Sequence, residues 1–106
     1  KEMGSIDWSK DVEVIERLIR GLNPWPSAYT RLDDKNLKIW KAEVVSHEVK
    51  TAPGCILKAG KDGLRVQAGN GILALLEVQL EGKKRMTTDA FLRGYAVEEG
   101  TYLKRC

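Results

Sequence analysis

The sequence predicts a mainly β domain, an antiparallel barrel or meander with one helix near its N-terminus and a short helix near its C-terminus. Three observations carry that expectation. Between residues 28 and 80, apolar runs of five to nine residues alternate with polar or glycine-bearing turns, and no long helical period fits between them. Only one earlier stretch repeats apolar side chains at helical spacing. The chain has 106 residues, enough for one hydrophobic core and not two, so residues 1–106 read as a single domain.

Ile6-Asp7-Trp8 ends an entry strap. Ser9 then suits an N-cap and Asp11 the positive end of a helix. Val12, Ile15 and Ile19 recur at i, i+3 and i+7, with Leu18 and Leu22 beside them, and Gly21 supplies a stop. Asn23-Pro24-Trp25-Pro26 can be neither helix interior nor central strand. Its tryptophan, held between two prolines, is expected in the core.

Strands follow at Ala28–Leu32, Leu37–Val45, Cys55–Ala59, Leu64–Ala68 and Ile72–Leu80, separated by turns such as Asp33–Asn36, Gly60–Gly63 and Gly69-Asn70-Gly71. The second strand mixes its faces. Leu37 and Ile39 alternate one way and Trp40, Ala42 and Val44 the other, which fits a bulge or a strand covered on both sides. Trp40 too is expected to be core. A last helix starts with Thr87 as N-cap, carries Phe91 and Leu92 inward, and stops at Gly94.

Apolar residues make up 42% and charged residues 31%, as in an ordinary globular domain rather than a disordered one. The longest apolar run, Ile72 to Leu76, is far too short for a membrane helix, so no membrane partner is expected. The chain begins with Lys1 and shows no signal segment, which reads as a fragment or a trimmed chain. Cys55 and Cys106 match neither a metal site nor a disulfide framework and read as free thiols of a reducing, cytoplasmic compartment.

Catalytic signals are absent. His47 is the only histidine, and Thr51 stands where a zinc-protease helix needs a second. Gly60-Lys61 is followed by Asp62, where a phosphate-binding loop needs Ser or Thr for magnesium. One histidine cannot serve a nucleophilic triad for every Ser or Cys. On these residues the chain has no catalytic site and no metal site, and it does not work as an enzyme alone.

Charge is more informative. The net charge is +3, yet residues 1–55 carry nine basic and nine acidic side chains and residues 56–82 three of each. The last 24 residues hold six basic against three acidic, so the whole excess starts at Lys83-Lys84-Arg85. On this reading the triplet runs straight into the N-terminus of the last helix, where free N–H groups favour an anion. A solvated loop and a polyanion contact stand level here.

Several segments resemble one family. Ile6-Asp7-Trp8, Ile19–Thr30 with its Asn23-Pro24-Trp25-Pro26, Leu37–Ala42, Pro53-Gly54, Gly69–Leu73, Leu80–Met86 and Thr88–Gly94 follow in the order of the C-terminal domain of methionyl-tRNA formyltransferase. The resemblance spans roughly residues 6–94. It implies an open Greek-key barrel like an oligonucleotide-binding fold, serving as an auxiliary tRNA-binding domain. It also implies a parent enzyme that moves a formyl group from 10-formyltetrahydrofolate to the amino group of methionine on initiator tRNA.

The catalytic and folate-binding residues of the family lie in an N-terminal Rossmann-like domain absent here. No catalytic residue is therefore carried over, and no cofactor is expected on this chain. The implied partners are initiator methionyl-tRNA, through its phosphates, and the chain's own N-terminal catalytic domain. Lys83, Lys84, Arg85, Arg93 and Lys1, the last as a remnant of a basic linker, are the expected RNA contacts. Related domains in sugar and folate formyltransferase-type enzymes do not act on tRNA. The alternative is therefore a structural, interdomain module without RNA, in which case an apolar patch should mark the surface left by the missing partner.

Overall fold

A computed structural model describes residues 4–104. The chain enters as an extended strap beside residue 29: Ile6 N–H donates to Tyr29 C=O at 2.9 Å and Tyr29 N–H to Gly4 C=O at 2.8 Å. Ile6 and Trp8 go into the core. The Trp8 indole N–H donates to Thr30 Oγ1 at 3.0 Å, so burying the ring leaves no orphan donor.

Helix α1 is Val12–Leu22, and Val12, Ile15 and Ile19 are its buried stripe as the spacing predicts. Its cap differs from the expectation. The N-cap residue is Asp11, without a side-chain bond, and the Ser9 hydroxyl donates instead to Asp7 Oδ1 at 2.6 Å. The helix end is capped from a distant loop: Val12 N–H donates to Asn70 Oδ1 at 2.8 Å. This explains the Gly69-Asn70-Gly71 segment. A Cβ on Gly71 would stand 2.5 Å from Ser46 O and 2.7 Å from Val12 Cγ1, so only glycine lets the turn press against the helix start. At the other end the helix passes Gly21. Asn23 follows Leu22 as C-cap, its Nδ2 donating to Ile19 C=O at 2.8 Å.

Six antiparallel strands form one sheet: β1 Ala28–Leu32, β2 Lys35–Ser46, β3 Ile56–Gly60, β4 Gly63–Gln67, β5 Ile72–Leu80 and β6 Met86–Thr87. The order is β1-β2-β5-β4-β3, with β6 also on β5. Strand β5 is central. One edge takes β2 from Leu37 opposite Leu80 to Ser46 opposite Ile72; the other takes β4 along Ile72–Leu75 and then β6 at Glu77 and Val78. The meander β3-β4-β5 with β2 returned beside β5 is a Greek key.

The sheet is open rather than a closed barrel. Residues 100–104 cross between its outer strands: Leu103 N–H donates to Gly54 C=O and Ile56 N–H to Thr101 C=O, both at 2.8 Å, while Arg31 and Lys104 exchange backbone bonds. Both outer edges thus have part of their backbone satisfied.

The mixed faces of β2 are a bulge. Ile39 lies opposite Val78 and Lys41 opposite Glu77, so β2 has one residue more than β5 at Trp40. Leu37 and Ile39 stay in the core, and Trp40 turns outward and is only half-buried. Strand β6 was not foreseen; two residues give no periodicity to read. Helix α2, Thr88–Gly94, has the expected N-cap, with Ala90 N–H donating to Thr87 Oγ1 at 3.3 Å and Phe91 buried.

The expectation for Trp25 is overturned: the residue is 84% exposed. The polar ends of its loop, not the ring, anchor it. Asn23 Nδ2 also donates to Ile39 and Trp40 carbonyls at 3.2 and 3.1 Å, Ser27 N–H to Leu22 C=O at 3.0 Å, and Ser27 Oγ to Pro24 C=O at 3.0 Å. With its backbone fixed at both ends, the loop carries the indole at its apex. Cys55 is a buried free thiol, and Cys106 lies outside the described residues. Among the described residues no helix is long and apolar enough to cross a membrane.

Candidate nucleic-acid interface

The β5–β6 turn carries the basic triplet. Gly82, at φ 82°, makes the reversal that a side chain would strain, and Lys83 N–H closes it on Leu80 C=O at 2.8 Å. A side-chain relay stiffens it from below. Trp40 Nε1–H donates to Gln79 Oε1 at 3.0 Å, and Gln79 Nε2 donates to Lys83 C=O at 3.1 Å. The bulge that turns Trp40 outward therefore also positions the turn.

The three cations are not equivalent. Arg85 lies with its guanidinium 4.4 Å from the Trp40 ring centroid and bonds Glu77 Oε1 through Nε at 2.8 Å and a terminal nitrogen at 2.7 Å. It is spoken for. Lys83 and Lys84 are exposed and make no ion pair among the described residues. The triplet also does not abut α2, because Met86 and Thr87 intervene as β6. Arg93 points its charge at Asp89 within the same helix. Lys1 lies outside the described residues.

The fold brings two lysines to this turn that sequence reading missed. Lys38, on β2 opposite Gln79, lines a shallow cleft with Gln79, Glu81 and Gly82. Lys35 stands 5.9 Å from the Tyr95 ring centroid. Tyr95 and Lys83 share an apolar cleft of about 190 Å³ with Leu80, Met86 and Phe91, where the Phe91 and Tyr95 rings stack at 5.3 Å. Several nearby carboxylates are engaged. Asp33 accepts from Tyr95 OH at 2.8 Å, Glu81 accepts from Asn36 N–H at 2.7 Å, and Glu77 holds Arg85. The bond to Asp33 favours the protonated phenol, and burial adds to it, so the Tyr95 pKa is raised. Residues 1–55 are neutral when counted along the chain, but folding leaves Lys35 and Lys38 beside the basic turn, with the hydrogen-bonded but still charged Asp33 and Glu81 near them. Only the strand pairing could have revealed this.

Elsewhere, His47 is exposed and pairs with Glu13 of α1, whose carboxyl is drawn below its ordinary range by that bond. Among the described residues no group of three His, Cys, Asp or Glu side chains could hold a metal. A cleft of about 650 Å³ is walled by Arg31, Asp33, Asp34, Thr101, Tyr102 and Lys104, a mixed-charge surface.

The fold is an open Greek-key sheet with a helix at each end, and a braced basic turn joins β5 to β6. The chain matches the formyl transferase, C-terminal domain family over residues 1–96 and belongs to it. It is similar to the methionyl-tRNA formyltransferase of Agathobacter rectalis, 58% identical over 102 residues, covering 96% of this chain and 33% of that protein. The methionyl-tRNA formyltransferase of Caldanaerobacter subterraneus is 51% identical over 104 residues, covering 98% and 33%. The chain thus spans about a third of the length of the curated relatives it matches. The crystal structure of HypX from Aquifex aeolicus in complex with tetrahydrofolic acid shares the fold, with a TM-score of 0.66 at 18% identity, over 92% of this chain and 20% of that one.

Proposed function

We propose that this domain grips the phosphate backbone of initiator methionyl-tRNA while a preceding catalytic domain transfers formyl from 10-formyltetrahydrofolate to the methionine amino group. The observation that carries the reading is the pair Lys83 and Lys84, exposed, without ion-pair partners among the described residues, on a turn stiffened by Trp40 and Gln79. Lys35 and Lys38 extend the positive surface; Arg85 braces it through Glu77 and Trp40. Arg93 contributes less because Asp89 shares its charge, and Lys1 adds a cation from the entering chain.

The contribution is positioning. Phosphate contacts set the register of the tRNA on the enzyme without reading its sequence, and the chemical step gains because the amino group is presented in place. The formyl donor is assigned to the preceding catalytic domain, as the family resemblance implies.

The test is a titration of the chain with initiator and elongator tRNAs across salt. Replacing Lys83 and Lys84 by Gln should flatten the slope of log affinity against log salt by about 1.4–1.8, taking roughly 0.7–0.9 per phosphate contact. Both tRNAs should weaken alike. An unchanged slope in the folded double variant would refute the reading and leave an interdomain module.

A further inference from the structure

Trp25 is the most exposed large apolar side chain among the described residues, at 84%. Its loop is fixed to α1 and β2 by four hydrogen bonds, three of them from Asn23 Nδ2, and closed on itself by Ser27 Oγ to Pro24 C=O. A large ring on a fixed loop costs little backbone ordering on contact, which is the profile of an interface anchor. Two observations say what it meets. The backbone entering at Gly4 packs directly on this loop's base: a Cβ at Gly4 would lie 2.2 Å from Ser27 O, and Gly4 C=O takes the Tyr29 N–H. The relatives carry about two thirds of their length beyond the part that this chain covers. The described backbone therefore starts at the base of the loop that carries the indole.

Charge favours a protein surface over a nucleic acid at this spot. Residues 23–27, Asn-Pro-Trp-Pro-Ser, are uncharged, and the neighbouring Arg20 is already paired with Glu16 at 3.0 Å. One exposed lysine, Lys41, shares a cleft with Asn23 and Arg20, whereas Lys83 and Lys84, with Lys35 and Lys38 nearby, stand at the β5–β6 turn.

We infer that Trp25 is the anchor by which this domain docks onto an apolar pocket of the catalytic domain that precedes it in the same polypeptide, an inference that rests on the chain being the C-terminal third of a formyltransferase. The docking fixes the basic turn relative to the chemistry, so that a tRNA held here is presented there.

The test uses the full-length polypeptide containing this chain. The difference in acrylamide quenching between wild type and Trp25→Phe isolates the Trp25 signal. It should be freely quenched in the 106-residue chain and shielded in the full-length protein. Trp25→Ser should leave the melting temperature of the chain unchanged and speed proteolytic cleavage between the two domains of the full-length protein by about 10–30-fold, the loss of one hot-spot residue read through the open population. Equal quenching of Trp25 in both proteins would overturn the inference. So would shielding that appears only when tRNA is added, which would assign the ring to a base. Formylation by the full-length wild type is measured alongside: activity without shielding defeats the docking alone, whereas inactivity defeats the functional reading beneath it.

Discussion

Arg85 separates bracing from RNA contact. Its side chain is 51% exposed and that of Glu77 27%, so the ion pair sits in largely aqueous surroundings, worth about 0.2–1 kcal/mol. The guanidinium over Trp40 at 4.4 Å adds about 0.5–1 kcal/mol. Together they amount to about 1 kcal/mol, or roughly 4–8 °C in melting temperature for a domain of this size. Arg85→Ala should therefore lower the melting temperature by that much, and Arg85→Lys, which keeps the charge but loses the planar fork, by nearly as much. Calorimetry of the chain reads the first effect and tRNA titration across salt the second, where the slope should stay as in wild type because the guanidinium already faces a carboxylate. The opposite result, an unchanged melting temperature with a slope flattened by about 0.7–0.9, would make Arg85 a phosphate contact and refute the bracing role.

Asn70→Ala removes the acceptor for Val12 N–H at the start of α1 and should cost about 0.5–2 kcal/mol in a urea melt, whereas Asn70→Asp, which keeps an acceptor, should cost less. The Tyr95–Asp33 bond gives stability an alkaline limit. Because the folded-state pKa of Tyr95 is raised, its stabilisation is fully present below the ordinary tyrosine value and is lost as pH rises through the folded one. Melting temperatures compared above about pH 9 should fall more steeply for wild type than for Tyr95→Phe, and parallel curves would discount the bond.

The elements that repeat were legible in the sequence, because a 3.6-residue stripe at Val12, Ile15 and Ile19 and five short apolar runs leave few alternative folds. What escaped was set by partners distant in the chain. The N-cap residue of α1 is Asp11, and the first helical N–H is satisfied by Asn70, 58 residues on, where local rules chose Ser9. The two prolines around Trp25 point to a ring pressed inward, yet the hydrogen bonds of Asn23 and Ser27 settle that loop without it. The basic triplet was visible as a run of letters. Its division into one braced arginine and two exposed lysines depends on Glu77 and Trp40, which the bulge in β2 brings beneath the turn.

Steady-state formylation by the full-length polypeptide, with methionyl-tRNA and formyl donor varied in turn, bears on the central claim most directly. If Lys83 and Lys84 hold tRNA phosphates and the chemistry lies in another domain, replacing both by Gln raises KM for methionyl-tRNA, leaves kcat near wild type and does not move KM for the donor. The increase should shrink as salt is raised, because counterions compete for the same contacts. An unchanged KM for methionyl-tRNA at low salt in a folded double variant would contradict the claim.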